Sequence, residues 1–306
     1  MRSALSALAL LLALCGCATS QPRSAADTGT FDCTAPEGWS DVASREADFV
    51  VFGETHGSNE APDFVGELVC ALALRNEPVL LAVEHSSIYN DAFQQAWEGP
   101  AEHLPAAMAA AGWQGRQDGV ASEAMLRLVR RAHALKAAGY PVSIVAFNGA
   151  RDDEQRERFA HLPAQGPHEA AQAENIAVAA AAREYAQVIV LVGNLHAQKQ
   201  TVQTGGEAFE PMAMRLAQYG DVISLGMHSA GGETWNCQLR EDYEIVPGEP
   251  ITSDAIACGA YAFGADATLE RDPFMELGDF AARPFGEAYD GYFWIGRATA
   301  SPPAFP

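Results

Sequence analysis

The chain has 306 residues, 48% of them hydrophobic and 19% charged, with 40 acidic against 19 basic side chains and a formal net charge of −21. A surface this acidic repels phosphate backbones and anionic headgroups. It excludes nucleic acid as a partner and leaves neutral or cationic ligands and metal ions.

Met1-Arg2 is a basic start, residues 4–14 form an apolar run too short to span a bilayer, and Leu14-Cys15-Gly16-Cys17 follows. This stretch resembles a bacterial lipoprotein signal. The resemblance implies cleavage after Gly16, lipid on the Cys17 thiol, and, with Ala18 in place of an aspartate, an outer-membrane destination. The expected organisation is therefore a signal peptide over 1–16, a Ser/Ala/Thr/Pro-rich flexible tether over 17–30, and a single α/β domain over 31–306. The roughly 270 residues of that domain suffice for one sizeable core. The expected location is the cell envelope, facing the periplasm, with membrane attachment through the lipid only.

Runs rich in β-branched and aromatic residues at 48–52, 79–83, 142–147 and 187–192 are continuous rather than alternating, as strands covered on both faces of a parallel sheet should be. Between the first two, Phe64, Val65, Leu68, Val69 and Leu72 recur at helical spacing behind Pro62. Residues 87–121, with Trp97, Pro100, Pro105 and Trp113, predict short helices in an insertion over the sheet. Ser122 caps a helix whose apolar positions are Met125, Leu126, Val129 and Leu135. Further helices are predicted from the charged stretch 151–158, broken at Gly166-Pro167, then over 170–185 and 208–219. A strand at 222–226 leads to His228. The remainder, with Trp235, Tyr261, Phe274, Phe285 and the run Tyr292-Phe293-Trp294-Ile295, predicts a few strands or loops with core aromatics. The fold class is α/β: a mostly parallel central sheet with helices on both faces, a helical insertion after the second strand and an irregular C-terminal extension.

Two of six cysteines lie in the signal. The other four allow three connectivities, and Cys237 with Cys258, then Cys33 with Cys70, are the preferred pairs in a compartment that permits disulfides, although Cys70 also reads as a buried thiol.

Candidate chemistry sits at the strand ends. Gly53-Glu54-Thr55-His56 and Gly193-Asn194-Leu195-His196 repeat one spacing, the second strand ends in Glu84-His85, and the third ends in Asn148 with Arg151 close behind. Functional groups in open α/β sheets gather at such carboxyl ends. These residue types serve two routes. His56, His196 and Glu84 can hold a divalent metal ion that activates water. Without metal, His56 takes the water proton, Glu54 or Glu84 orients it, and His196 or Arg151 meets the oxyanion. No Gly-x-Ser-x-Gly elbow supports a covalent serine route.

The ordered set of Gly53-Glu54-Thr55-His56-Gly57-Ser58-Asn59-Glu60, the strand ending in Glu84, Glu174-Asn175-Ile176 and Gly193-Asn194-Leu195-His196-Ala197 resembles the superfamily of erythromycin esterases, ChaN-like haem-binding lipoproteins and TIKI/TraB proteases. The resemblance covers roughly residues 48–198. It implies water activation by His56 and Glu84 in the esterases, metal ligation by His56, His196 and Glu84 in the TIKI group, and a counterpart arginine at Arg151. Only Asn194 and His196 match the esterase pattern around the second histidine, so macrolide hydrolysis is not implied. The expected function is hydrolysis of an ester, lactone or amide in a small-molecule or peptide substrate. The alternative is a haem- or metal-binding lipoprotein without turnover.

Overall fold

The computed structural model describes residues 31–203, 206–243, 251–264, 271–278 and 286–306. The signal, the tether, Cys17 and Phe285 lie outside the described residues. In chain order the elements are α1 (Trp39–Ala43), β1 (Phe49–Glu54), α2 (Glu60–Leu74), β2 (Val79–Ser86), α3 (Asn90–Glu98), α4 (Leu104–Met108), α5 (Glu123–Ala137), β3 (Val142–Asn148), α6 (Asp153–Phe159), α7 (Gly166–Ala181), β4 (Gln187–Gly193), α8 (Met212–Leu216), β5 (Val222–His228), β6 (Glu233–Leu239), β7 (Ile256–Ala262), β8 (Phe274–Leu277) and β9 (Gly291–Trp294).

The continuous apolar runs make the centre of the sheet because each is buried on both faces. Along β1, Val50 and Phe52 join the core under α2 and α5, while Phe49 and Val51 join the core under α7 and α8. Leu81 and Val83 of β2, and Ile189 and Leu191 of β4, face the first core; Leu80, Ala82, Val190 and Val192 face the second. A strand flanked by helices on both sides has no polar face to show, which is why its sequence does not alternate.

Among the described residues the strands form a seven-stranded sheet in the order β3-β2-β4-β1-β5-β9-β8 and a separate two-stranded ribbon of β6 and β7. All neighbours in the large sheet are parallel except β8 and β9. The edge strand β3 is closed off by α3: Ala146 N donates to Asn90 Oδ1 (3.1 Å) and Gln94 Nε2 donates to the Ile144 carbonyl (2.8 Å). These bonds occupy backbone groups that an open edge would offer to another chain.

The insertion after β2 is helical, comprising a 3-10 turn, α3, α4 and a π turn. Ser122 caps α5 by accepting from Met125 N at 3.3 Å. Four expectations change. Gly166-Pro167 starts α7 rather than breaking a helix, since proline in the first turn forfeits no intrahelical bond, and α7 ends at Ala181 rather than reaching 185. The helix expected over 208–219 is reduced to Met212–Leu216, because Pro211 is extended and Phe209 forms a bridge with Val202. Phe274, Phe293 and Trp294 are core, whereas Trp235 and Tyr261 on the ribbon and Tyr292 are half-buried.

Cys33 is bonded to Cys70, and Cys237 to Cys258. The first bridge staples the segment before α1 to α2; the second joins directly opposed residues of β6 and β7. No helix among the described residues is long and apolar enough to cross a membrane.

Candidate active site

Parallel direction and register bring three strand ends together. In the order β2-β4-β1, Glu54 lies opposite Gly193, and Val83, the residue before Glu84, lies opposite Leu191. Glu84 and His85 diverge because successive strand side chains take opposite faces. Glu84 turns to the rim. His85 turns into the insertion, where its ring stacks on Tyr89 and its Nε2 meets the Ala111 carbonyl at 2.6 Å.

Burial holds the His85 imidazole down to about 4. Above the unfolded value near 6.5 both states carry a neutral ring and this residue gives no pH dependence. Between 6.5 and 4 only the unfolded chain takes the proton, so stability falls as pH drops through that window, by roughly 3 kcal/mol in full. Urea unfolding at pH 7 and pH 4.5 should show this loss in wild type and a smaller one in His85→Phe; equal slopes would refute the assignment.

At the rim, His56 Nδ1 lies 3.0 Å from Glu54 Oε1 and His56 Nε2 lies 3.3 Å from Glu84 Oε2. Glu84 Oε2 also accepts from Gly193 N at 2.6 Å, and Glu84 Oε1 accepts from Asn148 Nδ2 at 3.5 Å. His196 Nδ1 lies 2.8 and 2.9 Å from the two oxygens of Glu169, a fully buried residue of α7 that also accepts from Met212 N at 2.8 Å. His196 Nε2 stands 3.7 Å from Glu84 Oε1. That is beyond a hydrogen bond. The structure therefore joins Glu54, His56, Glu84 and His196 in one cluster.

Gly193 makes this approach feasible. A Cβ there would stand 2.9 Å from His56 Nε2, 3.4 Å from Glu84 Oε2 and 3.5 Å from His196 Cδ2. The loop after His56 is also pinned: Gly57, at φ +80°, accepts from Trp235 N (2.9 Å) and Ser301 N (2.8 Å), and a Cβ would strike the Trp235 carbonyl.

Both imidazoles are held above the ordinary histidine value, His56 the more strongly. Burial opposes a charge on His56, but Glu84 and Glu54 outweigh it and hold the ring well above the ordinary histidine value. Burial likewise opposes a charge on His196, and Glu169 and Glu84 raise it, while the charge on His56 pulls it back. Burial pushes Glu54 above the usual carboxylate value, and its Oε2 is buried without a partner. For Glu84 burial is outweighed by His56, His196 and the Gly193 N–H, which bring it to about 2.

Arg151 is directed to α6 and α7. Its Nη1 donates to Asn175 Oδ1 (3.0 Å), with Glu174 at 3.6 Å and Asp152 at 3.4 Å. Asn175 in turn donates to the carbonyls of Phe147 and Gly149. His228 ends β5 with its ring edge-on to Tyr292.

Glu84 lies between the imidazoles of His56 and His196 and is tied to Gly193 N. Among the described residues, the group whose donor atoms all lie within 4.8 Å of one another is His168, Glu169 and His196. Glu169, His168 and Gln172 went unnoticed in the sequence because they stand in an Ala-rich helix that reads as packing. The signal was present: His168, Gln172 and Asn175 recur at i, i+4 and i+7, a polar stripe on a largely buried helix.

No family model matches the chain, and no curated protein matches it. The fold is shared with solved structures. A Bacillus cereus protein aligns with a TM-score of 0.55 at 13% identity, covering 87% of this chain and 92% of its own. A succinoglycan biosynthesis protein aligns at 0.56 and 12%, covering 87% and 91%. A histidine-to-asparagine mutant of the erythromycin esterase EreC, in its open conformation, aligns at 0.54 and 13%, covering 84% and 92%. Identities this low establish a common fold and nothing finer.

Proposed function

We propose that the chain is a hydrolase that attacks an ester, lactone or amide carbonyl with a water activated in the carboxylate–imidazole cluster. One observation carries this reading. Both nitrogens of His56 face carboxylates, whereas His196 is held only through Nδ1 and keeps Nε2 uncommitted. Two titratable groups in unlike environments can divide between acid and base roles. His196, oriented by Glu169, takes the water proton on Nε2. The resulting hydroxide adds to the carbonyl carbon. His56 remains an imidazolium and faces the developing oxyanion, its longer contact to Glu84 being the one a carbonyl oxygen displaces. The proton on His196 Nε2 then passes to the leaving alcohol or amine as the tetrahedral intermediate collapses. His56, the residue the motifs single out as base, becomes the electrostatic partner, and Arg151, held by Asn175, stands outside the step.

The envelope placement belongs to the same proposal. A basic start, a short apolar run and Cys17 support export and lipidation, and two disulfides in the folded part suit an oxidising compartment.

The test is a panel of esters, lactones, amides and peptides offered to metal-stripped protein. Turnover is expected without added metal, with kcat/KM rising with pH through a value above 6.5, because the base must first lose the proton that Glu169 and Glu84 help retain. No turnover on any substrate, together with a Soret band on haem titration, would replace this reading with a binding protein.

A further inference from the structure

The group formed by His168, Glu169 and His196 lies beside the hydrolytic cluster and shares His196 with it. Its donor atoms lie within 4.8 Å of one another, and they grade outward from the buried Glu169 to the exposed His168. A buried amide adjoins the group. Gln172 is fully buried; its Nε2 donates to Asn148 Oδ1 at 2.9 Å and contacts His168 Nε2 at 2.7 Å, while Oε1 on the same amide is buried with no partner. A buried acceptor without a donor is costly, and a cation is one group that satisfies it. Glu169 Oε1 has a further lone pair beyond the one facing His196.

Resting on the hydrolase reading above, we propose that His168, Glu169 and His196 form a regulatory divalent-cation site for zinc, and that occupancy silences hydrolysis. Two imidazoles and a carboxylate are a borderline donor set of the kind zinc prefers. An ion at this site disables His196 through either nitrogen. Bound at Nε2, it takes the lone pair that accepts the water proton. Bound at Nδ1, it displaces the Glu169 hydrogen bond that orients the ring. Ligand nitrogens must be unprotonated, so binding releases protons and weakens as pH falls. The ion differs in place and effect from the activating metal expected on His56, Glu84 and His196.

The experiment is calorimetric titration of the metal-stripped full chain with zinc chloride, with cobalt(II) absorption as a second readout, for wild type, His168→Ala and His56→Ala. Wild type should bind one ion. His168→Ala should bind about 10–100-fold more weakly, the loss seen even for outer partners of a metal site, and its exposed position makes the substitution mild for folding. His56→Ala should bind as wild type does. On a substrate from the panel, zinc should inhibit wild type and leave His168→Ala active. Unchanged binding in His168→Ala, loss of binding in His56→Ala, or no binding by wild type up to millimolar zinc would each overturn the site. If zinc binds in the expected pattern but no substrate turns over, the hydrolase reading fails and the cation site stands. Turnover without zinc binding has the opposite meaning.

Discussion

His196→Ala should lower kcat/KM by two to four orders of magnitude, about 3–5 kcal/mol of transition-state stabilisation, the scale of a general base. The ring is held at Nδ1 by Glu169 and by nothing within hydrogen-bond reach at Nε2, so its removal takes away the acceptor of the water proton and little packing. Glu169→Gln separates positioning from chemistry. It keeps the side chain's shape but removes the charge that raises His196, so the rising limb of the pH profile should move toward 6.5 while the plateau drops. A group whose folded pKa lies above its unfolded value stabilises the fold fully below the unfolded pKa and loses that contribution as pH rises through the folded one. The thermal cost of His196→Ala should accordingly be larger at pH 6 than at pH 9. Retention of a tenth or more of the wild-type kcat/KM by His196→Ala would remove it from the chemistry. Loss in His56→Ala alone would return the base to His56.

Gly193→Ala should cost about 100-fold in turnover with the fold intact, the penalty expected when reacting groups shift by around 1 Å. The added Cβ would stand 2.9 Å from His56 Nε2 and 3.4 Å from Glu84 Oε2, so these two groups have to shift. Glu84 is also tied to Gly193 N at 2.6 Å, and cannot retreat without leaving that donor unpaired. Gly206→Ala is the control, since a Cβ there meets nothing within 4 Å. Circular dichroism should give the same spectrum for both variants, and only Gly193→Ala should lose activity. Wild-type turnover by Gly193→Ala would show that the His56–Glu84 contact is dispensable.

Much of the framework follows from local pattern. The continuous apolar runs at 48–52, 79–83, 142–147 and 187–192 read as strands buried on both faces, and parallel direction then delivers Glu54, His56, Glu84 and His196 to one edge. Strand order and register are long-range. That β4 lies between β2 and β1, bringing Glu84 and His56 together above Gly193, depends on which strands pair, and no local signal carries that information. The C-terminal region makes the same point: β9 extends the sheet beside β5, while β6 and β7 stand apart as a disulfide-bonded ribbon. The role of α7 is likewise tertiary. Glu169 reads as one acid in an Ala-rich helix, and only the docking of that helix against β3 and α8 turns it toward His196, because helical periodicity sets which residues share a face but not what that face meets. The sequence determined the strands, the direction in which they point and the residue types at their ends. The tertiary structure decided which nitrogen each carboxylate holds, and so which histidine has both nitrogens facing carboxylates at close range and which keeps Nε2 open.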